Sequence, residues 1–210
     1  MKQMIATLVC TTLLTLFMPV RTQAPSDGKI TPEERAKAIK MLNDSQNELF
    51  SYIEKLTDAQ WNFRPAPFKW TVGETAEHIA LAEGLLYDAV QKALATAIDP
   101  DWETKSAGKE AILDNLLAAR KGRAQAPEPI QPIKREMSRS EIMSLLKDGR
   151  ARSLKFISTT DLPLKAHTLV HPFRVFGTLN AYQWFLYIPE HNFRHNKQIA
   201  EIISNPAFPK

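Results

Sequence analysis

His191 and His195 lie four residues apart in the run Glu190-His191-Asn192-Phe193-Arg194-His195-Asn196-Lys197-Gln198-Ile199. On an α-helix that spacing puts both imidazoles on one face, one turn apart, where they can share a metal ion. Their stripe also holds Trp184, Ile188, Ile199 and Ile202, so the pair is expected to point into the protein. A buried polar pair needs partners. A metal can supply them, and so can hydrogen bonds within a core; spacing alone leaves both readings open. A catalytic zinc takes three protein ligands and keeps a position for water. His78 is the best third candidate, because it sits beside the apolar stripe of an earlier helix and inward-facing side chains of different helices converge in a bundle. Asn192 follows His191, so the His-Glu-x-x-His helix of zinc proteases is absent and a general base must come from elsewhere.

Other groups stand near these three. Glu74, one turn before His78, can orient it or meet a water, and is the candidate catalytic carboxylate. Glu190 and Gln198 flank the histidine pair and can hold its rings from behind, as metal-bound imidazoles require. For Glu74, Glu190 and Gln198 the competing reading is a solvated helix face or a cap. Trp70 reads as a packing anchor at a helix start. A second four-residue pair, His167 and His171, precedes Pro172 and reads as a loop or pocket rim.

The elements that must position these groups are helical. Thr31-Pro32-Glu33-Glu34 is a cap, a first-turn proline and two acids at the positive end, opening a helix over 31–57. Thr71 with Glu74 forms a capping box for a second helix over 71–98, and Ser138 with Glu141 another for a third over 138–160. A short helix is expected near 109–120, followed by the proline-rich stretch from Ala126 to Pro132. Residues 161–177, with Pro163 and Pro172, read as an extended loop. The fourth helix spans 178–204 and contains Pro189, which cannot donate to the Phe185 carbonyl, so a kink before the histidines is expected. Together these make an all-α four-helix bundle with a long connection between its second and third helices.

Composition is that of an ordinary globular protein: 210 residues, 44% hydrophobic and 24% charged. Residues 1–24 read as an export signal: Lys2, an uncharged apolar run from Ile5 to Val20, then Thr22-Gln23-Ala24. Pro25 disfavours cleavage there, so a retained anchor is the alternative, and only then does the chain meet a membrane. The chain is expected to be exported, to the periplasm or outside the cell, with residues 25–210 forming one domain. The formal charge is +4, and no basic stripe with interleaved aromatics argues for nucleic acid. Cys10, inside the export segment, is the only cysteine, which excludes disulfides and cysteine–zinc sites from the mature chain.

Trp70 with His78 eight residues on, and the His191–His195 pair followed by Gln198-Ile199, resemble the DinB/YfiT-like family of four-helix-bundle proteins. The segment His171-Pro172-Phe173-Arg174-Val175-Phe176-Gly177-Thr178-Leu179 resembles the approach to the fourth helix in some members. The resemblance covers residues 31–205; the export segment and Pro189 depart from it. It implies a DinB-like bundle, His78, His191 and His195 as ligands, and hydrolase-like or thiol-transferase-like chemistry. The expected cofactor is one divalent ion, with zinc, nickel and iron all suited to three nitrogen ligands. The expected partner is a small-molecule substrate or ligand, with pairing of two copies of the chain left open. The rival readings are a non-catalytic metal- or ligand-binding bundle with a stress or scavenging role, and a structural module with packed histidines.

Overall fold

The computed structural model describes residues 27–118, 125–132 and 137–210, so residues 1–24, read above as an expected export signal, lie outside the described residues. Four long helices dominate it: α1 (Pro32–Ile53), α3 (Val72–Leu94), α6 (Arg139–Thr159) and α7 (Ala181–Ile203). Between α1 and α3 comes a four-residue helix, α2 (Asp58–Trp61). Between α3 and α6 lie α4 (Trp102–Ser106), α5 (Lys109–Leu113), a π-helical turn at Asp114–Ala118 and a 3-10 turn at Glu128–Ile130. Among the described residues no helix is long and apolar enough to cross a membrane.

The three expected caps are present. Thr31, Thr71 and Ser138 each accept from the backbone of a glutamate three residues on, and each glutamate side chain answers the cap's own N–H. Thr57 with Gln60 at the start of α2 and Asn180 with Gln183 at the start of α7 form two further boxes. At α7 the expected boundaries need correction. Thr178–Asn180 is strand β2, paired antiparallel with β1 (Thr168–Val170), so 161–177 is half of a small hairpin region and α7 starts three residues later than read. Helix α7 also runs unbroken through Pro189.

The packing order is less usual than the helix count. Helix α7 packs on α1 and α3, and α6 packs on the same two, so consecutive α1 and α3 stand on a diagonal. Hydrogen bonds fix the directions. Tyr182 reaches Glu34 and Asn196 reaches Ser45, making α7 parallel to α1. Arg35 reaches Ile157 and Arg139 reaches Ile53, making α6 antiparallel to α1.

The interior is two apolar cores. One gathers Leu42, Leu86, Val90, Ile157, Phe185 and Ile188; the other gathers Leu49, Ala76, Ile79, Leu146, Ile199 and Ile202. Between them, at the intervening position of each long helix, lies a buried polar layer of Ser45, Glu83, Arg150, Ser153, Asn192 and Asn196. His191 and His195 directly precede two of its members, Asn192 and Asn196, along α7.

Candidate metal centre

Helices α3 and α7 run antiparallel and bring His78 against His191 and His195. The Nε2 atom of His78 lies 3.2 Å from Nε2 of His191 and 3.2 Å from Nε2 of His195. One ring nitrogen from each of the three falls within 4.8 Å of the others, the sole such cluster among the described residues. The opposite face of two rings is tied down. His78 Nδ1 donates to the Ile130 carbonyl at 2.7 Å, and His195 Nδ1 donates to Gln198 Oε1 at 3.0 Å. Both acceptors are oxygens, so both Nδ1 atoms carry the proton and the neutral rings present bare Nε2 lone pairs. Two lone pairs facing each other across 3.2 Å cannot hydrogen-bond to one another; they call for a cation or a proton between them.

The donor set therefore fits a metal. Ligand nitrogens at roughly 2.0–2.1 Å from a tetrahedral ion stand about 3.3 Å from each other, close to the two 3.2 Å separations from His78. Three imidazoles also leave an open position for substrate. Burial, against the pull of the Ile130 bond, pushes His78 down to about 4. Burial and the neighbouring His195 and His78 drive His191 well below 6.5. Low values keep these rings unprotonated at neutral pH, the state in which an imidazole ligates.

Aromatic rings flank the cluster. Trp70 lies 4.8 Å from the His78 ring and 6.4 Å from the His195 ring, and Tyr187 lies 6.2 Å from His191. Trp70 thus does more than anchor a helix start. Its loop is held from below, where Trp61 packs so tightly on Gly73 that a Cβ there would meet the indole at 2.3 Å.

A DinB superfamily model matches residues 41–199. The chain belongs to the DinB superfamily. It is 25% identical over 166 residues to the uncharacterized protein YuaE of Bacillus subtilis strain 168, covering 77% of this chain and 94% of YuaE. Its fold is similar to that of YfiT from Bacillus subtilis, with a TM-score of 0.55 at 19% identity over 89% of this chain and 94% of YfiT. YfiT is described as a probable metal-dependent hydrolase with an unusual four-helix bundle topology.

The remaining expected residues of this DinB-superfamily bundle divide. Gln198 stands behind His195, its Oε1 3.0 Å from the ring's Nδ1. Glu74 is engaged elsewhere: one carboxylate oxygen caps Thr71 at 2.8 Å and the other meets Arg64 at 2.7 Å. It acts as cap and loop tether, and its expected part in the site is corrected on that ground. Glu190 turns the other way along α7, into a cavity with Lys37, Asp114 and Leu186, where burial and then the Asp114 charge push it up to about 7. It does not stand behind the histidines. His167 stands outside the cluster, its Nδ1 donating to the Thr96 carbonyl at 2.8 Å, and His171 accepts from the Phe173 N–H within a stack on Trp184 and Tyr187.

The Ile130 carbonyl is the partner that sequence reasoning missed. A backbone oxygen carries no residue-type signal, and Ile130 lies 52 residues from His78.

Proposed function

We propose that His78, His191 and His195 hold one divalent ion, zinc, nickel or iron, and that the protein acts there on a small-molecule substrate. The observation that carries this reading is the convergence of three Nε2 atoms, two of them 3.2 Å from the third, with two Nδ1 atoms committed to oxygens behind. When bound, the ion supplies Lewis acidity to a water or a substrate oxygen. The chain does the rest. Ile130 and Gln198 fix the orientation of two rings, which holds the ligand set together before the ion arrives. Trp70 and Tyr187 wall the cluster and exclude water from its flanks.

The chemistry we propose is hydrolase-like or thiol-transferase-like. YfiT's description supports the first. So does the expected export of this chain to the periplasm or the medium, where small thiol cosubstrates are scarce. Elemental analysis of protein purified without a polyhistidine tag tests the centre: about one divalent ion per chain is expected, and none above background would sink it. Turnover on a panel of esters, amides and thiol conjugates then separates an enzyme from a binding protein. For export, cell fractionation is decisive, and soluble cytoplasmic protein retaining Met1 would remove the claim.

A further inference from the structure

Two residues before Trp70, the chain places a bulky side chain where the backbone calls for none. Phe68 has φ +63°, the one positive φ outside glycine among the described residues. It sits in the turn Ala66-Pro67-Phe68-Lys69, closed by the Lys69 N–H donating to the Ala66 carbonyl at 3.1 Å. Proline second and a positive φ third is the type II pattern, whose third position favours glycine or asparagine for steric reasons.

Packing does not explain the phenylalanine. Its side chain is fully exposed, at 101%, so the ring buries no surface on folding and contributes no hydrophobic stabilisation. The turn is nonetheless held firmly. Arg64 donates to the Lys69 carbonyl and, at 2.7 Å, to Glu74, which caps α3. A braced turn carrying a strained, unpacked aromatic residue is a feature of ligand clamps. Its location suits that role: Trp70 lies on the His78 and His195 rings, and two residues span at most about 7 Å of backbone.

We infer that Phe68 is a specificity-determining residue of the histidine centre, gripping the apolar arm of a substrate whose polar end lies at the histidines. The inference rests on the metal-centre reading above. It names the substrate class: a small molecule with a hydrolysable or ligating polar group next to an aromatic or alkyl portion.

The test uses two probes with one metal-binding head. Acetohydroxamate and benzohydroxamate are titrated by calorimetry into the zinc-loaded protein. Wild type should bind benzohydroxamate about tenfold more tightly, in keeping with one aromatic contact. Phe68→Gly should reduce that preference to below about twofold, leave acetohydroxamate unchanged, and keep or raise the melting temperature as strain is relieved. Phe68→Leu should retain most of the preference. Undiminished preference in Phe68→Gly would overturn the inference. So would an unchanged preference accompanied by lost vesicle binding or lost dimerisation, which would assign the ring to a membrane or to a second copy. Acetohydroxamate binding with no preference in wild type, or zinc loading with neither probe bound, sinks this inference alone; failure of the protein to load zinc sinks the metal centre and the inference with it.

Discussion

His191 and Asn192 are neighbours on α7, yet they belong to buried polar clusters of opposite kind. Asn192 joins the layer around Arg150. There Nε and one terminal nitrogen of Arg150 each meet a Glu83 oxygen at 3.1 Å, the same nitrogen meets Asn192 at 2.9 Å, and the other meets Ser45 at 2.8 Å and the Leu42 carbonyl. Ser153 donates to Glu83, and Asn192 passes on to Asn196, which reaches Ser45 and Glu48. All five guanidinium donors are matched, so the chain completes this cluster by itself. The histidine cluster is the reverse: its oxygens lie behind the rings and its lone pairs face inward. A cluster that is complete locks helices in place. A cluster of converging lone pairs is prepared for something the chain does not contain.

That contrast can be broken first at Arg150. Replacing Arg150 by alanine leaves Glu83 buried without its counter-charge, and denaturant unfolding should show a loss of about 3–5 kcal/mol. Arg150→Met combined with Glu83→Leu should recover most of it, since neither charge then remains. If the double variant is as unstable as the single one, the layer does not act as a matched unit.

The histidine cluster should respond to added metal instead. Metal at about a hundred times its Kd should stabilise wild type by about 2.7 kcal/mol. His78→Ala removes the ligand that ties α3 to α7, and most of that gain should vanish in thermal melts. Metal-free protein should change far less. A His78→Ala variant that keeps full occupancy would show the third ligand to be wrong.

The two clusters were also unequally legible. The i, i+4 spacing of His191 and His195 is local, and so are the glutamates three residues after Thr31, Thr71 and Ser138, so these could be read directly. Arg150 and Glu83 are 67 residues apart, and charged residues are ordinarily read as solvent-facing. A signal did exist: Ile142, Leu146, Arg150, Ser153 and Ile157 follow one helical stripe, which places the arginine in the core. The diagonal placement of α1 and α3 left no such trace, because a short link suggests adjacency and the packing order is decided by distant contacts. Strands β1 and β2, three residues each, are too short to show an alternating pattern.

A smaller effect separates Glu190 from the histidines that follow it. His78 is lowered from 6.5 to about 4, so in the metal-free protein the unfolded chain takes the proton first and stability falls as pH drops through that window. Glu190 runs the other way. Raised from 4.5 to about 7, its contribution is full below 4.5 and is lost as pH rises through 7. Glu190→Gln should therefore stabilise the metal-free protein by about 1 kcal/mol near pH 8, after allowing for partial exposure, and change little near pH 4. Equal effects at both ends of a pH series of melts would mean that the carboxyl does not titrate as its buried position implies.

The smallest effect tests whether histidine spacing or convergence defines the centre. His167 and His171 share the four-residue spacing of His191 and His195, but they flank strand β1 rather than lying on a helix face. The Nδ1 of His167 lies 2.8 Å from the Thr96 carbonyl, an acceptor only, so the ring donates there and ties the hairpin to the end of α3. Losing that bond in His167→Ala should cost about 1 kcal/mol, visible as a modest drop in melting temperature. Metal occupancy should not move, because no nitrogen of His167 is among the converging three. Were occupancy to fall with His167→Ala while surviving His78→Ala, spacing would have been the better guide, and the ligand set would need to be rebuilt around the hairpin.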